Sequence, residues 1–235
     1  MKFCIIENDM IDEVVVDRYH SYGKMFTHLF RSVKPNIEVD VFNAMKMEYP
    51  ESFDRYDAVL LSGSRADAFG QDEWLVELKN RTQQLMDDKK TLIGVCFGHQ
   101  LIAMNLGAEM GRAPVGWGMG RMSYRWHQDN AAAKFADSDG FSLLASHQDQ
   151  VLTHPEGAEI LASSEFCPIA AYTVGKHIIC FQGHPEFVED YSTCLINKRK
   201  NLLTEDQFQA FSDSLQYGHD GQKVAQVMCD FVEQL

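Results

Sequence analysis

Thr91-Leu92-Ile93-Gly94-Val95-Cys96-Phe97-Gly98-His99-Gln100 decides how this chain folds. Its first half is a continuous apolar run ending in turn residues, the pattern of a central parallel strand covered on both faces. Its second half leads into Leu101, Ile102, Met104 and Leu106, a helical run. At the junction stands Gly94-x-Cys96-x-Gly98, and a nucleophile between two glycines at a strand-to-helix turn is a nucleophile elbow. The turn is sharp and strained, so the residues two before and two after the nucleophile must lack side chains if strand and helix are to approach closely. The same turn puts Cys96 at a helix N-terminus, where the dipole and the unpaired N–H groups favour the thiolate. The N–H of Phe97 then points where an oxyanion would form. A small buried cysteine in a glycine-rich turn is the competing reading of so short a motif, and its partners must decide.

On either side of this element the chain alternates short β-rich runs with helical patterns. Phe3 to Ile6, Ile37 to Phe42, Ala58 to Leu61 and Thr91 to Val95 read as strands. Tyr22, Met25, Phe26, Leu29, Phe30 and Val33 recur at three- and four-residue spacing and predict one core-facing helical stripe. This βα rhythm predicts a parallel sheet with its active site at the carboxyl ends of the strands. From about Met122 the pattern changes to Met122-Tyr124-Trp126, Ile160-Leu161, Ile169 to Val174 and Ile178 to Phe181, which predicts an antiparallel extension or a mixed sheet edge. From Asp190 onward the chain reads as helices, the last carrying Val224, Val227, Met228, Phe231, Val232 and Leu235, and is expected to pack back onto the sheet. No repeat or linker marks a boundary, so one domain over residues 1–235 is expected, with a core to about 190 and a helical tail beyond.

A thiol nucleophile needs a base, and the base needs an orienter. Phe181-Gln182-Gly183-His184-Pro185-Glu186 supplies both just beyond another strand end. In an extended segment residues i and i+2 face one side, and Pro185 fixes the chain between them, so the Glu186 carboxylate can hold the His184 imidazole. Alone, His-Pro-Glu reads as a surface turn; its force comes from occurring together with the elbow. Leu61-Ser62-Gly63-Ser64 ends a central strand in small residues, and the N–H of Gly63 could supply a second oxyanion donor. An ordinary βα turn is the alternative there.

Composition narrows the partners. With 235 residues, 45% of them apolar, the chain can bury a full core. A net charge of −13 repels phosphate backbones and anionic membranes, which argues against nucleic-acid and membrane binding. No stretch approaches a membrane span or a signal h-region, and a cytoplasmic protein is expected. Six scattered cysteines without a C-x-x-C pair read as mostly buried thiols in a reducing compartment, and no histidine falls in a ligand spacing, so no metal site is expected.

Together these pieces resemble the class I glutamine amidotransferase domain, with its cysteine in G-x-C-x-G-x-Q, its glycine-containing oxyanion turn upstream and its G-H-P-E near the end. The likeness covers about residues 1 to 190. It implies an α/β fold of three layers, a mostly parallel central sheet with helices on both faces, of flavodoxin-like kind. It implies Cys96, His184 and Glu186 as the catalytic set, Gly63 and Phe97 as the oxyanion hole, and Gln100, Ser146, His147 and Gln148 as substrate-binding residues. Ser146 to Val151 looks like the family's loop that holds the α-amino and α-carboxylate groups of glutamine. Ser62 to Phe69 and His147-Gln148-Asp149 look closest to the stand-alone γ-glutamyl peptidases and next closest to the amidotransferase domain of GMP synthase, and the oxyanion turn departs from the commoner Gly-Gly-Pro form. The implied activity is cleavage of glutamine or a γ-glutamyl compound, a small-molecule substrate, without metal or organic cofactor. A glutaminase subunit feeding a synthetase in trans and a non-catalytic glutamine sensor are the other readings. Gly116-Trp117-Gly118-Met119-Gly120 is a glycine-rich aromatic loop, read either as a pocket wall or as a structural turn.

Overall fold

The computed structural model describes residues 1–234 and contains eleven strands and seven α-helices. In chain order these are β1 (Lys2–Glu7), α1 (Val16–Tyr19), α2 (Tyr22–Val33), β2 (Glu38–Asn43), β3 (Ala58–Leu61), α3 (Glu73–Asp87), β4 (Leu92–Val95) and α4 (Phe97–Asn105). There follow β5 (Met110–Arg112), β6 (Gly118–Trp126), β7 (Gly140–His147), β8 (Asp149–Val151), β9 (Glu159–Ser163), β10 (Ala171–Val174) and β11 (Ile178–Phe181). Three helices close the chain: α5 (Glu189–Lys198), α6 (Glu205–Ser214) and α7 (Gly221–Glu233).

Nine strands form one sheet in the order β2-β1-β3-β4-β11-β10-β9-β6-β7. The pairs from β2 to β11 are parallel and those from β11 to β7 antiparallel, so only β10 and β6 run against the common direction. The sheet is thus mostly parallel, with the mixed edge that the change of pattern near Met122 predicts.

The period of two sets the three layers. Phe3, Ile5, Leu60, Ile93, Val95, Ile179 and Phe181 face one core, with Phe26 and Phe30 of α2 and Met228 and Phe231 of α7. Cys4, Ile6, Val59, Leu61, Leu92 and Cys180 face the other, with Leu75 and Leu78 of α3 and Leu101 and Ile102 of α4. The four residues of β3 and of β4 are all buried, as strands covered on both faces must be. The stripe on α2 packs as its spacing predicts, Val33 only in part. On α7, Val224, Val227, Met228, Phe231 and Val232 are buried, and Leu235 lies outside the described residues. No helix among the described residues is long and apolar enough to cross a membrane.

Two segments depart from the expected outline. Gly118 to Gly120 belong to β6, paired with His147 to Ala145, so only Trp117 and the residues just before it form the loop. Gly118 lacks a side chain because a Cβ there would sit 2.6 Å from Phe166 Cε1 and 3.1 Å from His147 Nε2. Strand β7, Gly140-Phe141-Ser142-Leu143-Leu144-Ala145-Ser146-His147, carries almost no alternation because it is covered on both faces. Ser146 and His147 are therefore strand residues, Asp149 to Val151 form β8, and only Gln148 remains of the expected loop.

Candidate active site

Cys96 lies between the last residue of β4 and the first of α4, at φ 52° and ψ −101°. A non-glycine residue in this region costs of order 1–3 kcal/mol and persists only where its surroundings over-determine it. Here they do. The Cys96 N–H donates to the Phe181 carbonyl of β11 at 2.8 Å, and the Gly98 N–H donates to the Ser62 carbonyl at 3.2 Å. The elbow is thereby tied to the ends of the two strands flanking β4. Gly94 and Gly98 let this happen: a Cβ on Gly94 would lie 2.8 Å from Cys180 Sγ, and one on Gly98 would lie 2.7 Å from Leu61 Cβ.

The turn after β3 is held from behind by Asn8. Its N–H donates to Ser62 Oγ at 3.0 Å and its side-chain amide donates to the Ser62 carbonyl at 2.8 Å, while Ser62 Oγ donates to the Gly63 carbonyl at 3.0 Å. Gly63 must be glycine, because a Cβ would meet His184 Cε1 at 2.7 Å and Cys96 Cβ at 3.6 Å. Among the described residues the N–H groups of Gly63 and Phe97 make no backbone hydrogen bond. Both donors flank Cys96, one from each strand end.

His184 reaches Cys96 from the segment after β11. Its N–H donates to the Leu144 carbonyl at 2.8 Å, Nδ1 is 2.8 Å from Glu186 Oε1, and its ring stacks on Phe187 at 3.8 Å and 9°. With Nδ1 so occupied, Nε2 is the ring nitrogen left for Cys96, which lies with His184 beside Gly63. Burial works against the charged imidazole, but the charge of Glu186, and after it that of a thiolate on Cys96, outweigh it and raise the His184 pKa to about 10. Near neutral pH the ring beside Cys96 is therefore an imidazolium.

The remaining predicted residues line the same cavity, of about 290 Å³: Gln100, Ser146, His147 and Gln148, with Trp117 on its wall. Gln100 Nε2 donates to the Asp149 carbonyl at 2.9 Å and to Gln182 Oε1 at 3.2 Å, which joins α4 to β8 and β11. Burial, and then the charge of nearby His184, push the His147 pKa down to about 4, so this imidazole stays neutral beside the charged one. Phe97 contributes its backbone only, its ring being wholly buried against Trp74.

Several residues of the site carry no sequence signal. Asn8 and Phe187 sit in no motif; Phe187 is seen only once the fold stacks it on His184 and sets Tyr191 edge-on against it at 4.7 Å. Asp9 holds Arg65 in a fork, Nε to Oδ2 and Nη2 to Oδ1 both 2.8 Å, and also accepts the Arg65 N–H at 2.8 Å. This fixes the stretch after the Gly63 turn and raises the Arg65 pKa through the hydrogen bond.

The glutamine amidotransferase class-I model matches residues 14–198 of the chain. Gamma-glutamyl peptidase 3 of Arabidopsis thaliana is 35% identical over 204 residues, 83% of this chain and 81% of the relative. Gamma-glutamyl peptidase 2 of the same plant is 28% identical over 99% of this chain and 96% of its own. A solved glutamine amidotransferase of Thermotoga maritima superposes with a TM-score of 0.79 at 19% identity, over 99% of this chain and 98% of that one, and shares the fold. With a family match extending from α1's approach to the end of α5 and a relative of this identity, the chain belongs to the class-I glutamine amidotransferase family.

Proposed function

We propose that the protein is a cysteine amidohydrolase that cleaves the γ-glutamyl amide of peptides through a γ-glutamyl thioester. The observation that carries this reading is the meeting of Cys96, His184 and Gly63 on one cavity, with Glu186 bonded to His184 from behind and the free N–H groups of Gly63 and Phe97 beside Cys96. The likeness to the plant γ-glutamyl peptidases supports the choice of substrate.

In this mechanism the Cys96 thiolate attacks the γ-carbonyl carbon while the N–H groups of Gly63 and Phe97 stabilise the oxyanion. The imidazolium of His184 protonates the leaving nitrogen as the C–N bond breaks, leaving the thioester. The now neutral His184 takes a proton from water, which attacks the thioester and releases glutamate and the thiolate. Glu186 orients the ring and stabilises its charged form. Gln100, Ser146, His147 and Gln148 are assigned to the glutamyl half, and the reaction as written needs neither metal nor organic cofactor. Residues 1–235 are taken as one domain, placed in the cytoplasm in keeping with six free cysteines.

Glu186→Gln keeps a polar group at Nδ1 but removes the charge that does most to raise the His184 pKa. The raised pKa keeps the imidazolium protonated up to alkaline pH, so the basic limb of kcat moves to lower pH in this variant. At the optimum kcat falls by about 10²- to 10⁴-fold. A pH–rate profile with an unmoved basic limb would remove Glu186 from this role.

The reading is tested by glutamate release from L-glutamine and from γ-glutamyl dipeptides by the purified chain alone. Turnover of the dipeptides above glutamine is expected. Activity on glutamine only, or only after a synthetase-containing lysate is added, would instead assign a subunit that hands ammonia to a partner.

A further inference from the structure

Four lysine and arginine side chains line the cavity that opens onto Cys96: Arg65, Arg112, Lys198 and Arg199. Three are engaged by carboxylates. Arg65 forks onto Asp9, Arg112 lies 3.1 Å from Asp149 and 3.7 Å from Asp67, and Lys198 pairs with Asp12. Among the described residues Arg199 pairs with no carboxylate. Among the described residues its one side-chain hydrogen bond is a long donation from Nη1 to the Leu195 carbonyl at 3.4 Å, and its guanidinium lies over the Trp117 ring, 5.2 Å from the centroid. Burial lowers its pKa.

A partly desolvated cation without a counter-charge is unfavourable until an anion arrives. The planar fork of arginine matches a carboxylate, and the indole beneath it fixes the plane of that fork. Arg199 also enters the cavity from the end of α5, whereas Ser146, His147 and Gln148 come from the β7–β8 edge. The latter group is assigned to the glutamyl half, which leaves Arg199 for the other side of the scissile amide. We infer that Arg199, held against Trp117, binds the free carboxylate of the leaving group. The preferred substrates are then γ-glutamyl peptides whose leaving amino acid or peptide ends in a free carboxylate, rather than γ-glutamyl amines or glutamine. The inference rests on the hydrolase reading above.

The test compares kcat/KM for γ-glutamylalanine and γ-glutamylalaninamide in the native protein, Arg199→Gln and Arg199→Lys. A charge-assisted hydrogen bond of this kind gives the acid an advantage of about 10- to 100-fold over the amide. In Arg199→Gln the ratio falls towards one through loss on the acid, and Arg199→Lys retains an intermediate ratio. A native ratio near one, or an Arg199→Gln variant in which both substrates fall equally, overturns the inference and leaves the hydrolase reading standing. Calorimetric binding of the same two compounds to Cys96→Ala separates the cases in the other direction. Preference for the acid that disappears in Cys96→Ala/Arg199→Gln upholds Arg199 even if neither compound is turned over, and that lack of turnover sinks the hydrolase reading instead. Equal affinities overturn the inference.

Discussion

Cys96→Ala is expected to lower kcat/KM for γ-glutamyl peptides by about 10⁴-fold or more, the scale on which removal of a nucleophile abolishes covalent catalysis. What remains comes from the oxyanion donors and from binding, because the N–H groups of Gly63 and Phe97 belong to backbone that the substitution leaves in place. The fold should survive. Alanine at φ 52° bears the same strain as cysteine, and the hydrogen bonds that impose the turn, from the Cys96 N–H to Phe181 and from the Gly98 N–H to Ser62, use backbone atoms only. Thermal unfolding should therefore stay within about 4 °C of the native midpoint, a change of about 1 kcal/mol for a chain of this size. A variant that loses activity and unfolds much earlier would mean that the thiol is a packing group.

Gly98→Ala should do the reverse and damage fold and activity together. Its backbone φ is not left-handed, so alanine is conformationally allowed and gains about 1 kcal/mol of helix propensity. Against this, the new Cβ would lie 2.7 Å from Leu61 Cβ and closer still to the Leu61 carbonyl oxygen. Overpacking costs about 1–3 kcal/mol where side chains can move, and here the obstacle includes the backbone of a central strand, so the clash wins over the propensity. A midpoint lowered by roughly 4–8 °C is expected. The start of α4 must move away from β3, which carries Cys96 and the Phe97 N–H away from Gly63, and a misplacement of about 1 Å costs on the order of 10²-fold in rate. Differential scanning calorimetry and steady-state rates check both parts; a native midpoint would show that strand and helix are not in the close contact described.

The core of the arrangement was readable because its signals are local. Gly94, Cys96 and Gly98 encode a strand, a turn and a helix within five residues, and Pro185 places His184 and Glu186 on one side. The structure brings Cys96, His184 and Gly63 to one cavity because parallel strands β3, β4 and β11 end at the same edge. Strand β7 was not readable, since burial on both faces erases the alternation by which a strand is recognised. Asn8, Phe187 and Arg199 escaped for another reason. Each acts through a contact distant in sequence: Asn8 on Ser62, Arg199 over Trp117, Phe187 on a ring that only folding sets in place. No periodicity or motif encodes such pairs.

The most direct test of the central claim is rapid acid quench of the protein during turnover of a γ-glutamyl dipeptide, followed by intact-protein and peptide mass spectrometry. A single γ-glutamyl group on Cys96, released by hydroxylamine and lacking in Cys96→Ala, is the expected result. Glutamate release by Cys96→Ala at the native rate, or a glutamyl group on any other residue, would contradict it.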